Sequence, residues 1–293
     1  FTAIADNTTF ANAKAALLAY LKERTGGTVP ISLKQTWEEV AQAPTFTGLL
    51  NESYGSGAAA AYSVRRLNGN VTECMVIRRA SDSTTTTIGF DSNGNIDESA
   101  INTFCSGTTC TLVTWKDQSG NAVDASAVTE GTIYDAGALK KINGKLYIDG
   151  GKYDASFTGS STGHLFMTLQ RPPAALTRYI ATSDSSNKYY FYGNDGNTGA
   201  PESGVTVNSY RFNGVTASSV TRDFVWDNTA NQTQATVDVN DSALINRRLY
   251  FSSFDAPLYQ EFIYYSSTKS TADRNSIESN IGDYFTQNTP LLD

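Results

Sequence analysis

The side chains best suited to chemistry are gathered in a few short stretches. Asp117-Gln118-Ser119-Gly120-Asn121 places a carboxylate, two amides and a hydroxyl within five residues, just after Trp115. Carboxylates and amides bond to sugar hydroxyls, and an indole face packs on a sugar ring. The same residues also make a tight turn, in which Asp and Asn bond to nearby backbone and Gly120 supplies a positive φ. As a site, the stretch offers Trp115, Asp117, Gln118 and Asn121 as ligand contacts, joined by Tyr190 and Tyr192 from the tyrosine-rich run Lys188 to Tyr192. Asp91-Ser92-Asn93-Gly94-Asn95-Ile96-Asp97 carries oxygen ligands at alternate positions, as calcium loops do. Its Gly is misplaced for an EF-hand and no Glu stands at the twelfth position, so a β-turn leading to a helix capped by Asp97 is the simpler reading.

Cys74, Cys105 and Cys110 have no His beside them, which argues against zinc. His164 is the sole histidine and precedes Leu165-Phe166-Met167, as a strand-edge residue would. With no Ser or Cys nucleophile in a known motif, a catalytic triad is not expected. Neither a metal nor a cofactor is called for.

The elements that must carry these residues change character along the chain. Residues 1–50 are helical in pattern: Ala13, Leu17, Leu18 and Leu21 recur on one face until Gly26-Gly27, and a second short helix runs from Leu33 to Ala43 before Pro44. From Tyr54 on, short β-branched and aromatic segments alternate with Gly, Asn, Asp and Ser. Strands are expected at Cys74–Arg78, Thr84–Phe90, Thr111–Trp115, Lys145–Ile148, Leu165–Leu169, Tyr189–Tyr192, Val205–Phe212, Thr236–Val239, Arg248–Phe251 and Gln260–Tyr265. Helices are expected at Asp97–Phe104 and at Thr271–Phe285, the latter capped by Thr271 with Ile277, Ile281, Tyr284 and Phe285 as its apolar side. This pattern fits a mainly β jelly-roll sandwich of residues 51–293 behind a helical docking segment of residues 1–50.

Composition bounds the partners. The 293 residues carry a net charge of −7 and only 17% charged side chains, with Tyr at 16 and Phe at 14 against Met at 2. An acidic balance without a basic stripe excludes a phosphate-backbone partner. The longest apolar runs are far too short to span a membrane. Abundant Thr, Ser, Asn and Tyr is the usage of extracellular β proteins.

A specific resemblance emerges from several motifs in order. Gly57-Ala58-Ala59-Ala60-Ala61-Tyr62-Ser63-Val64-Arg65-Arg66-Leu67 is followed by Val76-Ile77-Arg78-Arg79-Ala80-Ser81-Asp82, then Ile88-Gly89-Phe90 and Trp115-Lys116-Asp117-Gln118-Ser119-Gly120-Asn121. This block, from Gly57 to Ala125, resembles the N-terminal part of the arabinofuranosidase B catalytic domain. It equally resembles phage structural proteins that carry the block fused to a laminin-G-like sandwich. Asn143-Gly144-Lys145-Leu146-Tyr147-Ile148-Asp149-Gly150, Val237-Asp238-Val239-Asn240 and Gln260 to Tyr265 resemble the laminin-G side, although Asp241 stands where that family's hairpin has Gly.

The resemblance implies a concanavalin A/laminin-G-like sandwich and a disulfide between Cys105 and Cys110, leaving Cys74 as a buried apolar residue. It places Asp255 where the arabinofuranosidases have their acid/base Asp. A retaining glycosidase needs a second carboxyl about 5 Å away. The strand comparable to the one carrying the family's nucleophile is Lys188-Tyr189-Tyr190-Phe191-Tyr192, which has no carboxylate, and the nearest Glu is Glu202 in a turn. The expectation is therefore a non-enzymatic virion component: a tail fibre, tail appendage or capsid decoration on the outside of the particle. It would be a homo-oligomer, joined to other virion proteins through residues 1–50 and presenting its sandwich for assembly or to a host-surface glycan; the alternative is a glycoside hydrolase of the arabinofuranosidase type or a stand-alone carbohydrate-binding module.

Overall fold

The computed structural model describes residues 46–156, 162–170, 178–179, 192–193, 207–212, 215–217, 233–240, 248–251 and 258–285. The expected docking segment lies outside them up to Thr45, and so do Tyr190, Glu202 and Asp255. Phe46 to Leu50, assigned by pattern to that segment, belong with the body: Leu49 and Leu50 are buried in its core.

A 3-10 turn at Leu49–Asn51 leads to β1 (Ala60–Ser63), β2 (Glu73–Arg79), β3 (Thr85–Gly89), α1 (Glu98–Phe104), β4 (Cys110–Trp115) and β5 (Ala125–Asp135). Short strands follow at β6 (Ala138–Leu139), β7 (Lys141–Ile142), β8 (Lys145–Leu146) and β9 (Ile148–Asp149). Then come β10 (Lys152–Ser156), β11 (Thr162–Gln170), β12 (Arg178–Tyr179), β13 (Tyr192–Gly193), β14 (Val207–Phe212) and β15 (Val215–Ala217). The chain ends in β16 (Thr233–Asn240), β17 (Arg248–Phe251), β18 (Leu258–Tyr265) and α2 (Thr271–Phe285).

Fourteen strands form one hydrogen-bonded network ordered β15-β14-β16-β11-β18-β9-β5-β4-β2-β3. Its pairings are antiparallel, with β1 on β18, β10 between β5 and β17, and β6 on β5. Two strands hold the network together. β18 pairs β11 along one side and β1 and β9 along the other. β5 pairs β4, β10, β9 and β6 in turn along its length. Gly131 permits this: a Cβ there would lie 2.3 Å from the Gly150 carbonyl oxygen and 2.6 Å from the Ile148 side chain.

The core lies on the inner faces. Trp115, Tyr62, Tyr153, Tyr265, Phe166 and Phe285 are its largest fully buried side chains. The Tyr62 ring sits 5.9 Å from Trp115 and 6.5 Å from Phe262, and Phe166 meets Tyr265 edge-on at 5.7 Å. α2 buries Ile277, Ile281 and Phe285 at helical spacing, each contributing about 1.5–3 kcal/mol.

Most expected elements recur with ends shifted by a few residues. The strand expected at Lys145–Ile148 is split at Tyr147 into β8 and β9. Asp97 caps α1 by accepting the Ala100 N–H at 2.9 Å. The cap of α2 is not Thr271 but Ser270, whose Oγ accepts the Asp273 N–H at 3.1 Å. His164 is not at an edge: β11 runs between β16 and β18, and the buried imidazole accepts the Lys269 N–H at Nδ1, 2.7 Å away. Cys105 and Cys110 are joined by a disulfide that closes the loop from α1 to β4, and Cys74 is a buried free thiol.

Burial makes several tyrosines resist ionisation. Desolvation pushes the phenols of Tyr62, Tyr153, Tyr259, Tyr265 and Tyr284 well above their ordinary value of 10.0. An unfolded chain ionises these groups near pH 10, whereas the fold keeps them neutral. Their contribution to stability is therefore full below pH 10 and is lost as pH rises further. Absorbance at 295 nm, followed with circular dichroism, should show a late step in tyrosine ionisation that coincides with base unfolding. Complete ionisation near pH 10 with native dichroism would contradict this burial.

Candidate functional site

The loop after β4 turns its polar side chains inward. Asp117 Oδ1 accepts the N–H groups of Ala61 and Ser119, each at 2.9 Å, and Oδ2 accepts the Ser119 hydroxyl at 2.7 Å and the Val123 N–H at 3.2 Å. The Gln118 backbone N–H donates to the Ala61 carbonyl at 2.7 Å. Its side-chain Nε2 donates to the carbonyls of Ser63 (3.2 Å) and Arg65 (2.9 Å), while Oε1 accepts the Leu67 N–H at 2.7 Å. Asn121 Nδ2 donates to the carbonyls of Ala58 and Ala59 at 3.0 and 3.1 Å. Gly120 has φ +92°, as the turn requires.

The ligand-contact reading of this loop is thereby corrected for two residues. Gln118 is fully buried and Trp115 is 1% exposed, with its indole N–H donating to the Ser63 carbonyl at 3.2 Å. Asp117 is 8% exposed and its carboxylate is engaged on both oxygens. Asn121 is exposed, yet its amide is committed to backbone. Tyr192 lies in β13, and nothing in the described residues brings it to this loop. Asp91 likewise serves a turn: its Oδ1 accepts the N–H groups of Asn93 and Asn95 at 2.9 and 2.8 Å.

A second polar group, unmarked in the sequence, lies behind β1. The Arg65 guanidinium grips the Glu261 carboxylate, Nε to Oε2 at 2.7 Å and Nη2 to Oε1 at 3.0 Å. Ser63 Oγ donates to the same carboxylate at 2.6 Å, and Arg65 Nη1 reaches Asn280 Oδ1 at 2.7 Å. All three of Ser63, Arg65 and Glu261 are buried. The guanidinium also lies 4.9 Å from the Tyr284 ring centre. The hint in the sequence is a Glu inside a strand that apart from Gln260 is apolar and aromatic, Leu258 to Tyr265.

Tyr284 opens on a solvent-facing cleft of about 400 Å³. Its walls come from the Asp91–Asn95 turn, the start of α1 and the β7–β8 hairpin, and its deepest residues are Ile96 and Leu146. Across it, Lys141 pairs with Glu98 at 2.6 Å, and the Lys145 ammonium stands 3.8 Å from the Tyr284 ring centre. The Tyr284 hydroxyl is 3.2 Å from Asn95 Oδ1. Burial, helped by the nearby Arg65 charge, pulls the Lys145 ammonium below its ordinary value. A smaller hollow of about 320 Å³ lies beside the loop, where Lys116 pairs with Asp124 at 2.7 Å.

Comparisons with known proteins fall on the same scaffold. Residues 50–148 match the family model described as alpha-L-arabinofuranosidase B, catalytic. Two crystal structures are similar in fold, each with a TM-score of 0.51. One is an arabinofuranosidase complexed with arabinofuranosyl-alpha-1,2-xylobiose, 17% identical. The other is a glutamate-to-glutamine mutant of a GH54 arabinofuranosidase soaked with 4-nitrophenyl α-L-arabinofuranoside, 16% identical. Each similarity covers 76% of this chain and 62% of the other, so the chain spans less than two thirds of those proteins. No curated protein matches. The chain thus has a mainly antiparallel β-sandwich like that of the GH54 enzymes, with a C-terminal helix. None of these matches concerns a virus particle, so the virion expectation draws nothing from them.

The loop geometry has a direct consequence for stability. Gln118→Ala leaves the buried Leu67 N–H and Arg65 carbonyl without the partners that Gln118 supplies. The expected loss is about 3 kcal/mol, against about 1 kcal/mol or less for Asn121→Ala at the exposed rim. Urea unfolding of the two variants measures the difference. Equal midpoints would show that the buried amide is not a structural bolt.

Proposed function

We propose that this chain recognises carbohydrate, and that glycans bearing arabinofuranosyl groups are its first ligand class. The observation that carries the reading is the match of residues 50–148 to the arabinofuranosidase B catalytic model. The two similar structures were solved with arabinofuranosyl compounds, which names the class to try first. The open polar cleft beside Tyr284 adds physical support, because sugar sites combine carboxylate, amide and ammonium groups on a concave surface.

Hydrolysis is the second reading, favoured by the catalytic domain the match describes. A retaining mechanism requires two carboxyl groups about 5–5.5 Å apart across the scissile bond. The described part of the scaffold offers Asp117, Glu261 and Glu278 as buried carboxylates, and all three are held by framework contacts. The weak candidate Asp255 lies outside the described residues, as does Glu202.

One pair of measurements separates the readings. The full chain is titrated calorimetrically with arabinofuranosyl-α-1,2-xylobiose and incubated with 4-nitrophenyl α-L-arabinofuranoside. Saturable heat without release of nitrophenol is the expected result for a binding module. Release of nitrophenol, abolished by Asp255→Asn, makes the chain a glycosidase. The absence of both heat and release would overturn the carbohydrate reading.

A further inference from the structure

The cleft between α1, the β7–β8 hairpin and α2 has a feature that the framework does not use. The Lys145 ammonium makes no hydrogen bond or ion pair among the described residues; its contact is the Tyr284 ring, which it shares with Arg65. Its position is fixed from behind. Buried Gln260 donates through Nε2 to the Leu146 carbonyl at 2.9 Å, tying the hairpin to β18. Tyr284 is in turn fixed by the Arg65–Glu261 pair and by Asn95. A cation so held, partly desolvated and in direct contact with no carboxylate among the described residues, gains more from a new acceptor than one already paired.

The other charges around the cleft decide what kind of acceptor fits. Glu98 and Lys141 neutralise each other at 2.6 Å. Asp97 gives Oδ1 to the cap of α1, while Asp91 gives Oδ1 to its own turn and accepts the Asn95 amide at Oδ2, 3.2 Å away. What remains lining the same space is one ammonium, the Asp97 carboxylate, the spare acceptor capacity of the Asp91 carboxylate beyond its bonds to Asn93 and Asn95, and the exposed Ser99. An anion would meet those carboxylates and a cation would meet Lys145, so neither sign of ligand is matched. A neutral polyhydroxylated ring meets both, donating to the carboxylates and accepting from the ammonium. The volume of about 400 Å³ lies in the lower part of the range that holds small ligands.

We infer that this cleft is a sugar subsite that takes one neutral glycosyl unit, with Lys145 donating to a ring or hydroxyl oxygen and Asp91 accepting from a neighbouring hydroxyl. The inference rests on the carbohydrate reading and adds its place on the molecule, which is distinct from the Asp117 loop.

The test uses the full chain and arabinofuranosyl-α-1,2-xylobiose. Calorimetry compares the wild type with Lys145→Met and with Lys116→Met, the latter a control in the hollow beside the loop. Amide shifts of ¹⁵N-labelled wild type map the contact without any mutation. Lys145→Met should weaken binding by about tenfold or more, equivalent to about 1.4 kcal/mol. Lys116→Met should stay within about twofold of the wild type. The shifted amides should cluster at Asn95, Ser99 and Lys145. Wild-type binding with shifts elsewhere, or a Lys145→Met variant within twofold of the wild type, would overturn the subsite while leaving the carbohydrate reading in place. Absence of any wild-type binding would remove both. Should Lys145→Met unfold, the shift map alone decides.

Discussion

The structure hangs on the need to satisfy a backbone segment that is buried on both sides. Residues 58–67 pass through the core, and β1 pairs β18 along one edge only. Peptide groups alternate in direction along an extended chain. Ala61, Ser63, Arg65 and Leu67 therefore turn polar groups away from β18, where no named strand among the described residues receives them. The loop from Trp115 to Asn121 supplies what a strand would have supplied, using side chains: the Asp117 carboxylate, both ends of the Gln118 amide and the Trp115 indole N–H. A buried peptide group left open costs about 1–3 kcal/mol, so this set of bonds is comparable in size to the net stability of a domain. That is why carboxylate, amide, hydroxyl and glycine stand here in this order, with Trp115 and Gln118 buried inside the fold.

The same segment organises the far side of the molecule. Arg65 follows β1 and crosses behind β18 to Glu261 and on to Asn280 of α2. A buried ion pair is costly to desolvate and gives little net stability, but losing one partner is severe because the other charge stays behind. Its value here is positional. It ties β1, β18 and α2 at one point and sets Tyr284 at the rim of the cleft. Arg211, from β14, makes a comparable buried contact with Glu278 at 3.0 Å and with Asn275 at 2.7 Å, so α2 is fastened to the sandwich at two places by charge as well as by Ile277, Ile281 and Phe285.

What could be read from the sequence followed local physics. Both helices between Asp97 and Phe285 were legible because Asp97, a run of helix formers and apolar spacing act within one turn of each other. The strands with β-branched or aromatic alternation were legible for the same reason. β5 was not, although it is central: Ala125–Asp135 contains Glu130-Gly131, a polar residue and a breaker by local rules, and Gly131 makes sense only once the backbone at Gly150 lies against it. β1 was hidden in an alanine run, whose strand character comes from its pairing with Tyr264 and Phe262. The inward fate of Gln118 was equally hidden, because a loop motif reads alike whether its amide meets a sugar or the Leu67 backbone. The cleft escaped notice because Asp91, Lys145 and Tyr284 come from three distant stretches, and none of them marks a motif alone.

Where a family likeness falls decides what it transfers. The match spans residues 50–148, and within it lie β1, the Asp117 loop, the Cys105–Cys110 bridge and the first partner of the buried ion pair. Every one of these is a fastening of the scaffold. A block of fastenings keeps its residues in order under pressure from burial and hydrogen bonding, whatever the rest of the molecule binds or cuts. The carboxyl groups required to break a glycosidic bond answer to a different constraint, a fixed distance across a sugar, and the weak candidate here, Asp255, falls beyond the matched block. Likeness in the block thus carries the sandwich to this chain directly, while the reaction must be argued from side chains that the block does not contain.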